Sequence, residues 1–187
     1  MRREIGAASV LLVILITLLA PHISYSSEGV SIVIETNKPS YVVGEDVSLN
    51  GVVTYNEYPM QMKLVAIEVR HQDQNTTLLL GARQTDPDGK FGLTFKIASQ
   101  TRSGTYTAIA TTDGFGKTVE ARITFNVYIL GDVDRNFVVD LRDIAAISAA
   151  YGTSQTHPPW NPIYDLNGDG TVNMRDINIA CTNFGKT

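Results

Sequence analysis

Asp132-Val133-Asp134-Arg135-Asn136-Phe137-Val138-Val139-Asp140-Leu141-Arg142-Asp143-Ile144 returns thirty-three residues later as Asp165-Leu166-Asn167-Gly168-Asp169-Gly170-Thr171-Val172-Asn173-Met174-Arg175-Asp176-Ile177. The register holds as far as Tyr151-Gly152 against Phe184-Gly185. Counted from its first aspartate, each copy carries an oxygen-bearing side chain at positions 1, 3, 5, 9 and 12. A hard cation such as Ca²⁺ takes six to eight oxygens, and this alternate spacing wraps them around one point while position 7 turns in its backbone carbonyl. The candidate ligands are therefore Asp132, Asp134, Asn136, Val138, Asp140 and Asp143 in loop 1, and Asp165, Asn167, Asp169, Thr171, Asn173 and Asp176 in loop 2. Gly170, at position 6, suits the left-handed turn that closes loop 2, whereas Phe137 occupies that place in loop 1. Two matches in one register set this apart from an acidic turn formed by accident.

After each loop comes an amphipathic stretch. Ile144, Ile147 and Tyr151 form one narrow apolar stripe, and Ile177, Ala180 and Phe184 repeat it. Each stripe is too small to fold alone, so the two helices are expected to pack together, with Trp160 and Tyr164 covering the seam. Gly152 and Gly185 stand where helix C-caps belong. Cys181 is expected to be a small buried or half-buried residue of the second helix. No apolar helix enters either loop: Ile129-Leu130-Gly131 follows a strand, Trp160-Asn161-Pro162-Ile163-Tyr164 is interrupted by proline, and position 12 is aspartate where a full EF-hand has glutamate.

A loop followed by its exit helix, duplicated across 131–187, resembles the dockerin family, in particular a prokaryotic form with an Arg-Asp-Ile helix start, a Tyr/Phe-Gly helix end and a Trp-Asn-Pro linker. The resemblance implies a module that binds two Ca²⁺ ions and docks onto a cohesin domain. It also implies that the residues just after the ninth loop position face the partner. Here these are Leu141, Arg142, Met174 and Arg175, where many dockerins carry small hydroxyls, which leaves the partner's identity open.

Upstream, residues 28–128 read as a small sandwich of mainly β structure. Period-2 alternation marks Val30–Thr36, Val47–Tyr55, Lys63–Gln72, Thr77–Gln84, Lys90–Ile97, Gly104–Thr111 and Lys117–Tyr128. Turn chemistry separates them, as at Asp86-Pro87-Asp88-Gly89 and Asp113-Gly114-Phe115-Gly116. Seven short strands at this spacing, with no helical stretch, argue for an immunoglobulin-like sandwich without the Cys…Trp…Cys pattern of antibody domains. The stretch from Thr36 to Val47 resembles the opening hairpin of macroglobulin-type sandwich domains, and Thr85–Phe91 and Ser103–Thr107 fit the same pattern. That likeness implies architecture rather than activity. His71 is expected at the surface or an edge, not as a catalytic base.

Arg2 and Arg3 precede the uncharged apolar run Ile5–Ala20, then Pro21 and the small Ser24, Ser26 and Ser27. This is the order of a secretory signal over 1–27, cleaved after Ser26; as an uncleaved anchor the run, about 16 residues, falls short of the ~20 that span a bilayer. Both readings put the rest of the chain outside the cytoplasm, at the cell surface or beyond. The lone Cys181 cannot form an internal disulfide, so packing or metal must supply stability there. Asn75-Thr76-Thr77 is a glycosylation sequon.

The 187-residue chain has 15 basic and 19 acidic residues, net charge −4, with no basic excess to hold nucleic acid. Residues 131–187 contribute seven aspartates and no glutamate. Outside the loops no paired acids or nucleophile–base set appears, so the expectation is a secreted, non-enzymatic interaction protein. The alternative is an envelope or stalk protein in which calcium only staples the C-terminal module to the sandwich. Loop 2 is expected to bind Ca²⁺ better: loop 1 has four carboxylates against three, but a bulky residue at positive φ costs about 1–2 kcal/mol.

Overall fold

A computed structural model describes residues 23–24, 26–27, 29–73, 76–157 and 159–187. The signal reading over 1–27 therefore lies almost wholly outside the described residues, and Asn75 of the sequon lies outside them too. Two short backbone pairings fall inside that N-terminal stretch: β1 (Ile23–Ser24) and β2 (Ser26–Ser27).

Alternating side chains generate two sheets, because successive residues of a strand point to opposite faces. In the first sheet, β1 lies beside β11 (Lys117–Tyr128), followed by β10 (Gly104–Gly114), β7 (Leu64–His71) and β8 (Thr77–Gln84). The short β4 (Ser40–Val42) adds parallel to the end of β11. In the second sheet β2 pairs with β3 (Val30–Thr36), and β3 with β5 (Asp46–Tyr55). The other edge of β5 carries β9 (Lys90–Lys96) and β6 (Tyr58–Pro59). All seven strands read from the alternation are present within a few residues. The short β4 and β6 carry too few residues for a period to show.

The inward faces meet as one core. Val30, Ile32 and Ile34 of β3 pack with Val65, Ile67 and Val69 of β7 and with Ala121, Ile123, Phe125 and Val127 of β11. The β10–β11 hairpin closes through Phe115 and Gly116, whose φ values of 55° and 87° are those of the turn that matches strand twist. His71, the last residue of β7, is buried, contrary to its expected surface position. Its ring meets Tyr106 edge-on at 5.0 Å, and its Nδ1 accepts from the Asp73 backbone N–H at 3.2 Å. Its Nε2 lies 3.4 Å from the Ser103 carbonyl, so both ring nitrogens are spent on backbone.

The chain leaves β11 and enters the duplicated module directly. Helices α1 (Leu141–Ala149) and α2 (Met174–Thr182) pack around a second, separate cluster of Val133, Ile147, Ala150, Val172 and Ala180. Trp160, Ile163 and Tyr164 cover it. Only the middle of each stripe is core: Ile147 and Ala180 are buried, while Tyr151 and Phe184 are more than half exposed, because each helix ends before reaching them. Cys181 is exposed, correcting the expectation that it would be covered.

The two repeats clasp each other symmetrically. The Gly152 N–H donates to the Val172 carbonyl at 2.9 Å, and the Gly185 N–H donates to the Val139 carbonyl at 2.8 Å. Both glycines have positive φ, 83° and 77°, which turns the chain at each helix end toward the other repeat's loop.

Candidate metal centre

Each loop is held by its own side chains in the same pattern. In loop 1 the Asp132 carboxylate accepts from the backbone N–H groups of Asn136 (3.1 Å) and Phe137 (2.9 Å). In loop 2 Asp165 accepts from Asp169 (3.2 Å) and Gly170 (2.8 Å), the equivalent positions. Positions 3 and 5 each accept from the N–H two residues on: Asp134 from Asn136, Asn136 from Val138, Asn167 from Asp169, and Asp169 from Thr171. Such turns fold the backbone so that alternate side chains converge.

Position 12 is locked by three amides. Asp143 Oδ1 accepts from Val133 (2.8 Å) and Asp134 (3.2 Å), and its Oδ2 accepts from Asp140 (2.8 Å). Asp176 does the same with Leu166 (2.8 Å), Asn167 (3.2 Å) and Asn173 (2.8 Å). The third bond of each set is half of a capping box: Asp140 and Asn173 are the N-caps of α1 and α2, accepting from Arg142 and Arg175. Aspartate replaces glutamate at position 12 because it is also the third residue of the helix, where a short carboxylate reaches back to the cap.

Burial makes these charges costly without a cation. Asp143 and Asp176 are fully buried and Asp132 is 6% exposed. Carboxylate oxygens of Asp132, Asp134 and Asp143 lie within 4.8 Å of one another. Asp132 is pushed up to about 6, first by burial and then by the charges of Asp143 and Asp134, against the opposing pull of the Phe137 and Asn136 amides. In loop 2, position 3 is the neutral Asn167. Asp169 there is held below the usual carboxylate range, chiefly by the Asn167 side-chain amide, with help from Asn173, the Thr171 N–H and Arg175. An all-oxygen set of converging like charges, with Asp132 and Asp143 of loop 1 buried, fits a hard divalent cation.

Loop 1 differs in its backbone. Phe137 has φ 72°, as its position required, and Arg135 at position 4 has φ 60°. Loop 2 has Gly168 and Gly170 at the matching places, with φ 72° and 85°. The Arg135/Gly168 exchange stands in the aligned repeats beside the Phe137/Gly170 one. Both left-handed residues of loop 1 rest on the sandwich. The Phe137 ring stacks on Tyr128 at 5.0 Å and 9°, and the Arg135 guanidinium carbon lies 5.7 Å from the centre of the same ring. Ser103 Oγ donates to the Phe137 carbonyl at 2.5 Å, and Asn183 Nδ2 donates to the Leu130 carbonyl at 2.8 Å.

The four residues expected to face a partner are all exposed at the starts of the helices. Leu141 is 70% and Met174 62% exposed. Arg142 and Arg175 stand beside them, Arg175 reaching Asp169 at 3.7 Å.

The family profile of the dockerin type I domain matches residues 130–180. The C-terminal module is a dockerin type I domain. Dockerin type I domains bind calcium, and the donor set of loop 1 suits that ion. A 68-residue stretch is 37% identical to the long isoform of ulvan lyase from Pseudoalteromonas sp. (strain PLSV), covering 36% of this chain and only 6% of the lyase. Among solved structures, the PmoD soluble domain of Methylocystis sp. ATCC 49242 shares 11% identity at TM-score 0.40, over 56% of this chain and 95% of that one. A type II cohesin–X-dockerin complex from Acetivibrio cellulolyticus shares 24% identity at TM-score 0.32, over 66% of this chain and 83% of that one. At such scores neither structure bears on function.

Proposed function

We propose that this chain is a secreted or cell-surface, non-enzymatic interaction protein. Its dockerin holds two calcium ions, one per loop, and docks onto a cohesin-type domain of a surface or scaffold protein. One observation supports this most: the clasped repeats bury the middle of both helices and leave Leu141-Arg142 and Met174-Arg175 exposed at equivalent corners. Arginine and methionine, presented here on rigid helix starts, are among the side chains enriched at interface cores. The capping boxes tie these corners to the loops, so a cation that orders Asp143 and Asp176 also orders the docking face. The carboxylates of the module are committed to capping and to the loops, and His71 to backbone, which supports an interaction role over catalysis.

The test is capture by a panel of recombinant cohesins, using the full chain in calcium and in chelator. Capture in calcium only, lost in Leu141→Asp/Met174→Asp while both calcium sites still titrate, is the expected result. Calcium-independent capture, or capture unaffected by the double substitution, would remove the reading. The stalk reading has its own support in the Tyr128–Phe137 stack and the Ser103–Phe137 hydrogen bond, which tie the dockerin to the sandwich. Calcium binding without capture by any cohesin would favour it.

A further inference from the structure

We infer that Tyr128 and Ser103 of the sandwich are positioning residues for the calcium site of loop 1, so that this site is completed by the neighbouring domain whereas that of loop 2 is self-sufficient. The inference rests on the reading that both loops bind calcium and adds a cause of unequal binding to it.

Positions 4 and 6 of both loops adopt left-handed φ, between 60° and 85°. Loop 2 meets this with two glycines, for which such angles cost nothing sterically. Loop 1 meets it with Arg135 and Phe137, and each side chain there disfavours the conformation its loop needs. A strained conformation persists only where its surroundings over-determine it. Here the surroundings are specific: both side chains converge on one ring, Tyr128, the last residue of β11. Ser103 Oγ fixes the Phe137 carbonyl from the other side of the peptide.

The held residue also carries the cation site. The N–H of Phe137 donates to Asp132 Oδ2 at 2.9 Å, orienting the first ligand, and its carbonyl precedes Val138, whose own carbonyl is the position-7 donor. Tyr128 therefore acts through Phe137 on two of the six positions. The corresponding contact in loop 2, Gly170 N–H to Asp165 Oδ2 at 2.8 Å, is made with Gly170 standing against Gln155 of its own module. A side chain at position 6 thus works as a lever for the sandwich to hold.

The experiment uses the full chain with one loop silenced at a time. Asp165→Ala leaves loop 1 to be titrated with Ca²⁺, and Asp132→Ala leaves loop 2. Into each, Tyr128→Leu, which keeps the strand end apolar, and Ser103→Ala are introduced. Loss of the ring is expected to weaken loop 1 about tenfold, the equivalent of one residue's left-handed strain. Ser103→Ala is expected to weaken it less, and loop 2 is expected to stay within about twofold. A further variant separates a held lever from general damage: with Arg135→Gly/Phe137→Gly already in place, Tyr128→Leu is expected to leave loop 1 unchanged, because glycines need no holding. The inference is overturned if Tyr128→Leu leaves loop 1 unaltered, if both loops weaken together, or if the glycine pair does not remove the effect. Failure of the unsubstituted chain to bind calcium at all would instead overturn the calcium reading beneath it.

Discussion

Ile147→Ala should destabilise the dockerin without disturbing the sandwich. Ile147 is fully buried at the centre of a cluster whose other buried members are only Val133, Ala150, Val172 and Ala180. Removing three buried carbons from such a site costs about 2–5 kcal/mol, the more so the less its neighbours relax into the gap. A loss of about 3 kcal/mol corresponds to roughly 12–24 °C in melting temperature for a domain of this size. Calcium works against it: each loop occupied at a hundredfold excess over Kd contributes about 2.7 kcal/mol. Differential scanning calorimetry of the full chain should then show two transitions. In calcium the lower one falls by that interval, and in chelator it disappears along with the helical circular dichroism signal. The upper transition should stay in place, because the sandwich core of Ile32, Ile67, Phe125 and their neighbours forms a separate cluster. Ile67→Ala, fully buried in that larger core, should do the converse and lower only the upper transition. A single transition that moves as one body in both variants would refute the claim of two independent cores. So would a lower transition that shifts by only a degree or two.

Loop 2 should bind calcium more tightly than loop 1, so in paired titrations Asp165→Ala removes the tighter phase and Asp132→Ala the weaker; the opposite assignment would show charge count outweighing backbone strain. Phe137→Gly alone should change loop 1 little, within about threefold, because relief of about 1–2 kcal/mol of strain is offset by the lost Tyr128 stack, about 0.5–1.5 kcal/mol; from sequence alone, without the stack, a glycine there should simply tighten the site. In chelator, the dockerin should melt higher at pH 5 than at pH 7.5. Asp132 in the fold titrates near 6, above its ordinary 3.8, so the stabilisation conferred by its proton is complete below about pH 4 and is lost as pH rises through 6. Saturating calcium, which takes the proton's place, should abolish or invert that trend, and identical melting at both pH values in chelator would count against the burial of this carboxylate.

The strands were legible because each buries one face, and a period of two survives in any stretch longer than about five residues. The loops were legible because a cation imposes its own spacing on the chain, and the duplication wrote that spacing twice in one register. Even the left-handed φ at Phe137 followed from its alignment with Gly170. All of these are local consequences, set by residues a few positions apart. What the sequence could not show was apposition. His71 falls in phase with the inward Val65, Ile67 and Val69, but the groups that close over it at the end of β7, Tyr106 and the Ser103–Gly104 turn, are not written in that period. Cys181 directly follows the buried Ala180 and still faces solvent, because α2 presents Ala180 to the core instead. Tyr128 and Phe137 lie nine positions apart with the first loop beginning between them, and no periodicity marks them as partners. Their stacking depends on how the module turns at Gly131, φ 110°, against the end of the sheet. Contacts between separately folded surfaces depend on that turn, which no pattern of neighbouring residues encodes.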